Sequence, residues 1–256
     1  MAFIITSKTN VVLITGASQG IGLELARQIS NPSLHPDYHV IIGALNPDEG
    51  AAAVAALLSG DPSRSLSTVT VDVTSDSSIS AAVTTIDEQF GRLDVLFNNA
   101  GVCLDGLTST KTTRTGFEQT FAVNTFGAAA MTEAFSPLLL KSTSPCPRIV
   151  YMTSRLGSLA VRSNFSDVAK DRPFPMYRAS KAALNMVMLH YADVYAERGW
   201  KVNGCDPGLT NTNLGKHTPG RAHSAEVGAI NAIRLATLGV DGPTGTFTNK
   251  DGVLHW

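Results

Sequence analysis

Tyr177 and Lys181 stand four residues apart in Tyr177-Arg178-Ala179-Ser180-Lys181. On a helix, positions i and i+4 share a face, so this spacing sets a phenol beside an ammonium. A free tyrosine ionises near pH ~10, too high for a base and slow for a donor at neutrality. A neighbouring cation, joined by the positive ring of an oxidised nicotinamide, stabilises phenolate and lowers that value. The pair therefore suits proton transfer at an oxygen. A second stretch, Gly16-Ala17-Ser18-Gln19-Gly20-Ile21-Gly22, could hold the dinucleotide that hydride transfer requires. Gly16 permits a sharp turn, Gly20 removes a Cβ where backbone meets pyrophosphate, and Gly22 allows close helix packing. Phosphate would then sit at a helix N-terminus, where free N–H groups and the helix dipole favour it. The spacing is GxxxGxG rather than GxGxxG. An ordinary strand-to-helix turn, and a surface Tyr/Lys pair on an amphipathic helix, stay open as the plainer readings.

The elements around these stretches alternate. Val11-Val12-Leu13-Ile14 is an apolar run suited to a strand buried on both faces. Ile21, Leu25 and Ile29 then repeat at helical spacing until Asn31-Pro32. His39–Gly43, Thr68–Val71, Asp94–Phe97, Arg148–Met152 and Lys201–Asn203 read as further strands. Helices are expected over Asp48–Leu58, from the cap Ser75 to Gly91, over Gly116–Leu140 and over Tyr177–Glu197. Repeated βα units favour a parallel sheet with helices on both faces, and right-handed crossovers leave chiefly the doubly wound topology. No tandem repeat or low-complexity tract appears. Ser142–Pro147 resembles a linker but falls between a helix and a core strand, so residues 1–256 are expected to form one α/β domain.

Composition narrows the function classes. The chain of 256 residues is 43% hydrophobic and 16% charged, with a net charge of −1. That supports a substantial core and suggests no nucleic-acid or anionic membrane partner. Met1–Lys8 lacks a charged stretch followed by a long apolar one, so no cleavable signal is expected, and no apolar run approaches the roughly 20 residues of a bilayer span. Cys103, Cys146 and Cys205 show neither a disulfide framework nor metal-ligand spacing, which points to a cytoplasmic setting without a metal site. Cys103 and Cys205 fall near the motifs and read first as small apolar fillers.

Taken in order, Thr15-Gly16-xxx-Gly20-x-Gly22, Asp72-Val73, Asn98-Asn99-Ala100-Gly101, Asn124, Ser154, Tyr177-xxx-Lys181 and Pro207-Gly208 resemble the short-chain dehydrogenase/reductase family. The resemblance spans nearly the whole chain, and its ending Gly252–Trp256 is similar to the carbonyl-reductase and C-factor-like branch. It implies a Rossmann-type fold. It also implies Tyr177 as proton donor or acceptor, Ser154 on the substrate oxygen, Lys181 on the nicotinamide ribose, and Asn124 in a water-linked proton relay. Gly16, Ser18, Gln19, Gly20, Ile21, Gly22, Asn46, Asp72, Val73, Asn98, Asn99, Ala100, Gly101, Pro207, Gly208, Thr210 and Thr212 are the expected cofactor contacts, with Thr210 and Thr212 on the carboxamide. Several have plainer readings: Ser154 and Asp72 as helix caps, Asn124 as a solvated helix position, and Pro207-Gly208 as an ordinary turn.

Two departures matter. Twenty-three positions separate Ser154 from Tyr177, more than the family's usual spacing, and the excess, with Asn164, Asp167, Lys170, Asp171, Arg172 and Pro173, is expected to loop over the pocket, a tolerated surface excursion being the plainer reading. At the end of the second strand, Gly43-Ala44-Leu45-Asn46-Pro47 lacks both the acid that binds ribose hydroxyls and the arginine that welcomes a 2′-phosphate. Absence of the repulsive acid favours NADP(H), although Asp48 lies close and NAD(H) stays open. The stretch 209–226, with Leu214, Lys216, His217, Pro219 and His223, is expected to be a lid. Val102, Leu104, Leu156, Leu209 and Leu214 suggest a hydrophobic carbonyl pocket. The expected activity is interconversion of a hydrophobic ketone or aldehyde and its alcohol. The alternatives are an NAD-dependent alcohol dehydrogenase and a catalytically idle NADP-binding regulator. Assembly into a homodimer or homotetramer through the two long helices is implied by the resemblance.

Overall fold

The computed structural model describes residues 5–105, 113–164, 174–214 and 222–256. Its strands are β1 (Asn10–Thr15), β2 (Tyr38–Ala44), β3 (Leu66–Thr70), β4 (Val95–Asn98), β5 (Arg148–Met152), β6 (Lys201–Cys205), β7 (Phe247–Asn249) and β8 (Gly252–Val253). Its helices are α1 (Gly20–Ile29), α2 (Pro47–Gly60), α3 (Asp76–Phe90), α4 (Arg114–Phe121), α5 (Ala128–Leu140), α6 (Leu159–Ser163), α7 (Pro175–Val194) and α8 (Ala225–Ala236). All eight strands join one sheet in the order β3-β2-β1-β4-β5-β6-β7-β8, with β7–β8 the antiparallel pair at its edge. The chain winds outward from β1 to β3, then returns to β4 on the other side of β1. This doubly wound α/β order leaves a crevice beyond the carboxyl ends of β1 and β4.

Period-two side-chain alternation divides the core. Val11 and Leu13 face a layer that includes Ile79, Ile86, Met131, Phe135, Leu184 and Met188 of α3, α5 and α7. Val12 and Ile14 face Leu25, Ile29, Ala229 and Leu235 of α1 and α8. Fully burying each such aliphatic side chain contributes about 1.5–3 kcal/mol. Among the described residues, no helix is long and apolar enough to cross a membrane.

The sequence reading and the structure diverge at several places. The expected helix over Gly116–Leu140 starts at Arg114 and is interrupted by a π-helical turn, Ala122–Gly127. Gly127 there lies against Val73, where a Cβ would come within 2.7 Å of the Val73 carbonyl oxygen. Asp94 precedes β4 rather than opening it. Its buried carboxylate accepts from the Val11 N–H at 2.7 Å, the Ser142 hydroxyl at 2.5 Å and the Thr143 N–H at 3.2 Å. The linker-like Ser142–Pro147 stretch is therefore folded over Asp94. Finally, β7, β8, α6 and α8 have no counterpart in the sequence reading. The first three are too short to show periodicity, and α8 is Ala-rich with a weak polar face.

Candidate active site

The glycine loop leaves β1 with Gly16 and Gly20 in left-handed conformations, φ 62° and 61°. At Gly22 a Cβ would lie 2.6 Å from the Asn99 amide and 2.7 Å from the Gly16 carbonyl oxygen. Gln19 precedes α1 without a side-chain cap, so the first-turn N–H groups keep their capacity to bind an anion. Thr15 fixes the loop to β4. Its hydroxyl donates to the Phe97 carbonyl at 3.1 Å and accepts from the N–H groups of Asn99 and Ala100, each at 3.0 Å. The Asn99 amide then donates to the Thr15 carbonyl oxygen at 2.7 Å and to that of Gly16 at 3.2 Å.

On the opposite wall, α7 carries Tyr177, partly exposed, and Lys181, only 3% exposed. The Lys181 ammonium donates to the Met152 carbonyl at 2.8 Å and lies 5.6 Å from the centre of the Tyr177 ring. A Cβ on Gly101 would lie 3.5 Å from this nitrogen and 3.3 Å from Asn124 Oδ1. The π-helical turn aims Asn124 inward. Its amide donates to the Val102 carbonyl at 2.9 Å and to the Ser180 hydroxyl at 3.0 Å, while its oxygen accepts from the Val102 N–H at 2.8 Å. Asn124 is thus a buried strut between the loop after β4 and α7, not a solvated position. Ser154, at the end of β5, faces Tyr177 and also accepts from the Leu156 N–H at 3.2 Å, so it is a cap as well as a pocket residue.

Burial governs the protonation of the pair. It pushes the Tyr177 phenol above its ordinary range, and the hydrogen-bonding influence of Ser154 opposes it. In the protein alone the lowering expected from Lys181 is not found, and burial holds Tyr177 as the neutral phenol. Burial also pulls the Lys181 ammonium down to about 8, with Cys103 acting in the other direction. Lys181 remains mostly charged at neutral pH. An ammonium has three donors; among the described residues only the Met152 carbonyl takes one. Uncapped N–H groups at α1, a cradle without Cβ atoms and spare donors on a buried cation fit a nicotinamide dinucleotide.

The family model for short chain dehydrogenase matches residues 10–221. The short-chain dehydrogenase/reductase ATR10 of Stachybotrys chlorohalonatus is 40% identical, over 96% of this chain and 90% of that relative. The chain belongs to the short-chain dehydrogenase/reductase family. The short-chain dehydrogenase/reductase tropE of Talaromyces stipitatus is 38% identical, over 98% of this chain and 99% of its own. The NADPH-bound carbonyl reductase from chicken fatty liver superposes with a TM-score of 0.83 at 26% identity, covering 97% of this chain and all of that one. The protein is therefore a Rossmann-fold oxidoreductase, an NAD(P)-dependent dehydrogenase or reductase.

This dehydrogenase/reductase does not bring every expected contact to the cleft. Asn98 points the other way, its amide donating to the Thr132 hydroxyl at 3.0 Å, because neighbours on a strand face opposite sides. Its role is structural. The Asn46 oxygen caps α2 by accepting from the Asp48 N–H at 2.8 Å, and Asp72 accepts from Thr74, so both serve turns at the crevice rim. Val73 is buried, and Ile21 packs half-buried against the core. The Thr210 hydroxyl is directed to the carbonyls of Pro207 and Gly208, whereas the Thr212 side chain lies over Gly20. Gln19 accepts from the Asn213 amide, joining the start of the expected lid to the glycine loop. Residues 215–221 of that lid, with Lys216, His217 and Pro219, lie outside the described residues, as does 165–173 of the long segment with Asp167, Lys170, Asp171, Arg172 and Pro173. Asn164 ends α6. Of the cysteines, Cys205 is a fully buried core residue, and Cys103 lies half-buried near Tyr177 with its thiol pushed up to about 11 by burial.

Two residues carry weight that sequence reasoning missed. Glu49, in the first turn of α2, accepts from the Ser18 hydroxyl at 3.3 Å. Asp105, 5% exposed, accepts from the Met176 N–H at 3.2 Å and the Tyr177 N–H at 2.8 Å. It caps α7 from a distant loop and so sets the position of Tyr177. Truncating this buried carboxylate by Asp105→Ala is expected to lower stability by about 1–3 kcal/mol and turnover about tenfold or more. Asp105→Asn, which keeps an acceptor, should retain most of both. Thermal melting and steady-state kinetics check this; unchanged turnover in Asp105→Ala would contradict the positioning role.

Proposed function

We propose that this short-chain dehydrogenase/reductase is an NADP(H)-dependent carbonyl reductase acting on a hydrophobic ketone or aldehyde. The observation that carries the reading is the meeting of Tyr177, Ser154, Lys181 and Asn124 beside the glycine loop, at the carboxyl ends of β1, β4 and β5. The bound nicotinamide supplies or receives the hydride. Ser154 orients the carbonyl oxygen, and Tyr177 gives that oxygen its proton in reduction and takes it back in oxidation. Lys181 stabilises the phenolate left behind and holds ribose hydroxyls with its spare N–H groups. Asn124 keeps Val102 and Ser180 in place around the ammonium, where the proton is replaced. Val102, Leu104, Leu156 and Leu209, all half-buried, are the apolar side chains this reading assigns to the substrate. The same reading places the protein in a reducing, cytoplasmic compartment. It also assembles copies through the long helices, which expose Phe126, Leu140, Met186 and Val194.

Tyr177→Phe is expected to abolish carbonyl reduction while leaving nucleotide affinity, read by fluorescence titration, near that of the wild type. Turnover persisting at the wild-type rate would overturn the assignment of the donor.

A specific observation favours NAD(H) as the second reading. Glu49 sets a carboxylate beside Ser18, near the rim where a ribose 2′-substituent would lie, and Leu45 offers no cation. Support for NADP(H) comes from the absence of an acid at Ala44 and from the NADPH carried by the chicken enzyme. Dissociation constants for NADPH and NADH distinguish the two readings directly. In Glu49→Gln, NADPH is expected to tighten about tenfold, or ~1.4 kcal/mol, with NADH changing much less. Equal changes for both nucleotides would remove Glu49 from any part in the choice.

A further inference from the structure

The stretch Gly252–Trp256 takes no part in the site described above, yet it touches the segment that begins at Ser154. Ser154 is followed by a turn through Leu156 and Gly157, and then by α6. The turn is fixed from α7. The Leu156 N–H donates to the Ser154 hydroxyl at 3.2 Å, Arg178 Nη1 donates to the Leu156 carbonyl at 3.3 Å, and Gly157 lies against Lys181. The support of α6 is different. It has five residues, none of them buried, and Leu159 in its first turn is 72% exposed. So short a helix is not stable by itself, and no packed face holds it here. Its place is set by partners for the first-turn N–H groups that every helix leaves open. Ser158 accepts from the Val161 N–H at 3.0 Å, and the Trp256 carbonyl accepts from the Ala160 N–H at 2.8 Å.

Trp256 is in turn anchored to the core. Its ring stacks on that of Phe247 in β7, with centroids 5.4 Å apart and planes inclined by 27°. Phe247 is 1% exposed, and its carbonyl accepts from the Leu254 N–H at 2.8 Å. The Phe247 ring also lies over Gly204 of β6. A Cβ there would be 3.6 Å from Phe247 Cδ2, 3.3 Å from Thr153 Cγ2 and 3.5 Å from Met188 Cε of α7. Packed groups therefore connect the residue before Ser154, through Phe247 and Trp256, to α6.

We propose that Trp256 is a positioning residue for the substrate: it holds α6 as the outer wall of the pocket, against which the part of the carbonyl compound furthest from Ser154 and Tyr177 lies. The inference rests on the carbonyl reductase reading. Ser154 and Tyr177 hold the reacting end of the substrate, so α6, further along the chain, meets only its remote apolar body. Contacts made there are the same in the bound substrate and in the transition state. Losing them raises KM and leaves kcat in place.

The test measures kcat and KM for alkanals and alkan-2-ones of increasing chain length, with the nicotinamide nucleotide saturating, in the wild type, Trp256→Ala and Trp256→Phe. Alanine removes the ring that seats the carbonyl on α6, whereas phenylalanine keeps a ring to stack on Phe247. In Trp256→Ala, KM for the longest substrates is expected to rise about tenfold, with kcat throughout and KM for the shortest changing less than about twofold. Trp256→Phe is expected to restore most of the wild-type discrimination. An unchanged KM for every substrate in Trp256→Ala would overturn the proposal, as would a fall in kcat that is the same at every chain length. Where Trp256→Ala fails to fold, Trp256→Leu takes its place, and failure of both would make Trp256 a residue of stability alone and overturn the proposal as well. Failure of the underlying reading looks different: the wild type itself would then reduce no member of the series, and the proposal would fall with it.

Discussion

Burial of the Lys181 ammonium is the constraint on which the site depends. Removing an ammonium from water costs several kcal/mol even after relaxation, and one bond to the Met152 carbonyl does not offset that. The packing around it is correspondingly tight. Gly157 lies so close to α7 that a Cβ would come within 2.6 Å of the Lys181 carbonyl carbon, so only glycine lets the Ser154 turn lie on that helix. Thr153 adds a 2.5 Å bond to Asn185 one turn further along. The end of β5 and the face of α7 therefore move as one piece, and Ser154 keeps its place over Tyr177. What the fold gains by holding a cation in a buried site is a charge whose field water does not screen.

The rest of the architecture brings a second piece to this one. Reversal of strand order between β1 and β4 opens the crevice, and the Thr15 hydroxyl, with its three partners, fixes the glycine loop to the residues that follow β4. That same β4 loop continues through Gly101 and Val102, which Asn124 holds against α7, to Asp105, which caps the helix. One short segment, Asn99–Asp105, thus touches both the dinucleotide loop and the proton donor's helix. Its backbone carries the distance between hydride and proton.

Much of this was legible in the residues. The glycines, the i, i+4 phenol and ammonium, and the alternation of strands and helices each express a local rule, and local rules survive folding. Other parts rest on contacts between distant positions. Ser18 and Glu49 are 31 residues apart, and Asp105 and Tyr177 are 72 apart. Neither pairing leaves a pattern in composition or periodicity. The π-helical turn at Ala122–Gly127 is of the same kind, since nothing in Ala122-Val123-Asn124 announces a wider turn until Gly127 meets Val73. Asn98 is different: period two along β4 separates it from Asn99, and that signal was present in the sequence. The long segment after Ser154 is legible only at its start, where α6 is tied to the C-terminus by the Ala160 N–H and the Trp256 carbonyl at 2.8 Å.

The most direct test of the central claim is a crystal structure of the protein with its nicotinamide nucleotide bound. The Lys181 ammonium is expected to take ribose hydroxyls as partners beside its Met152 bond, with the reactive ring next to the Tyr177 oxygen. A ribose held elsewhere, with Lys181 satisfied by protein alone, would contradict it.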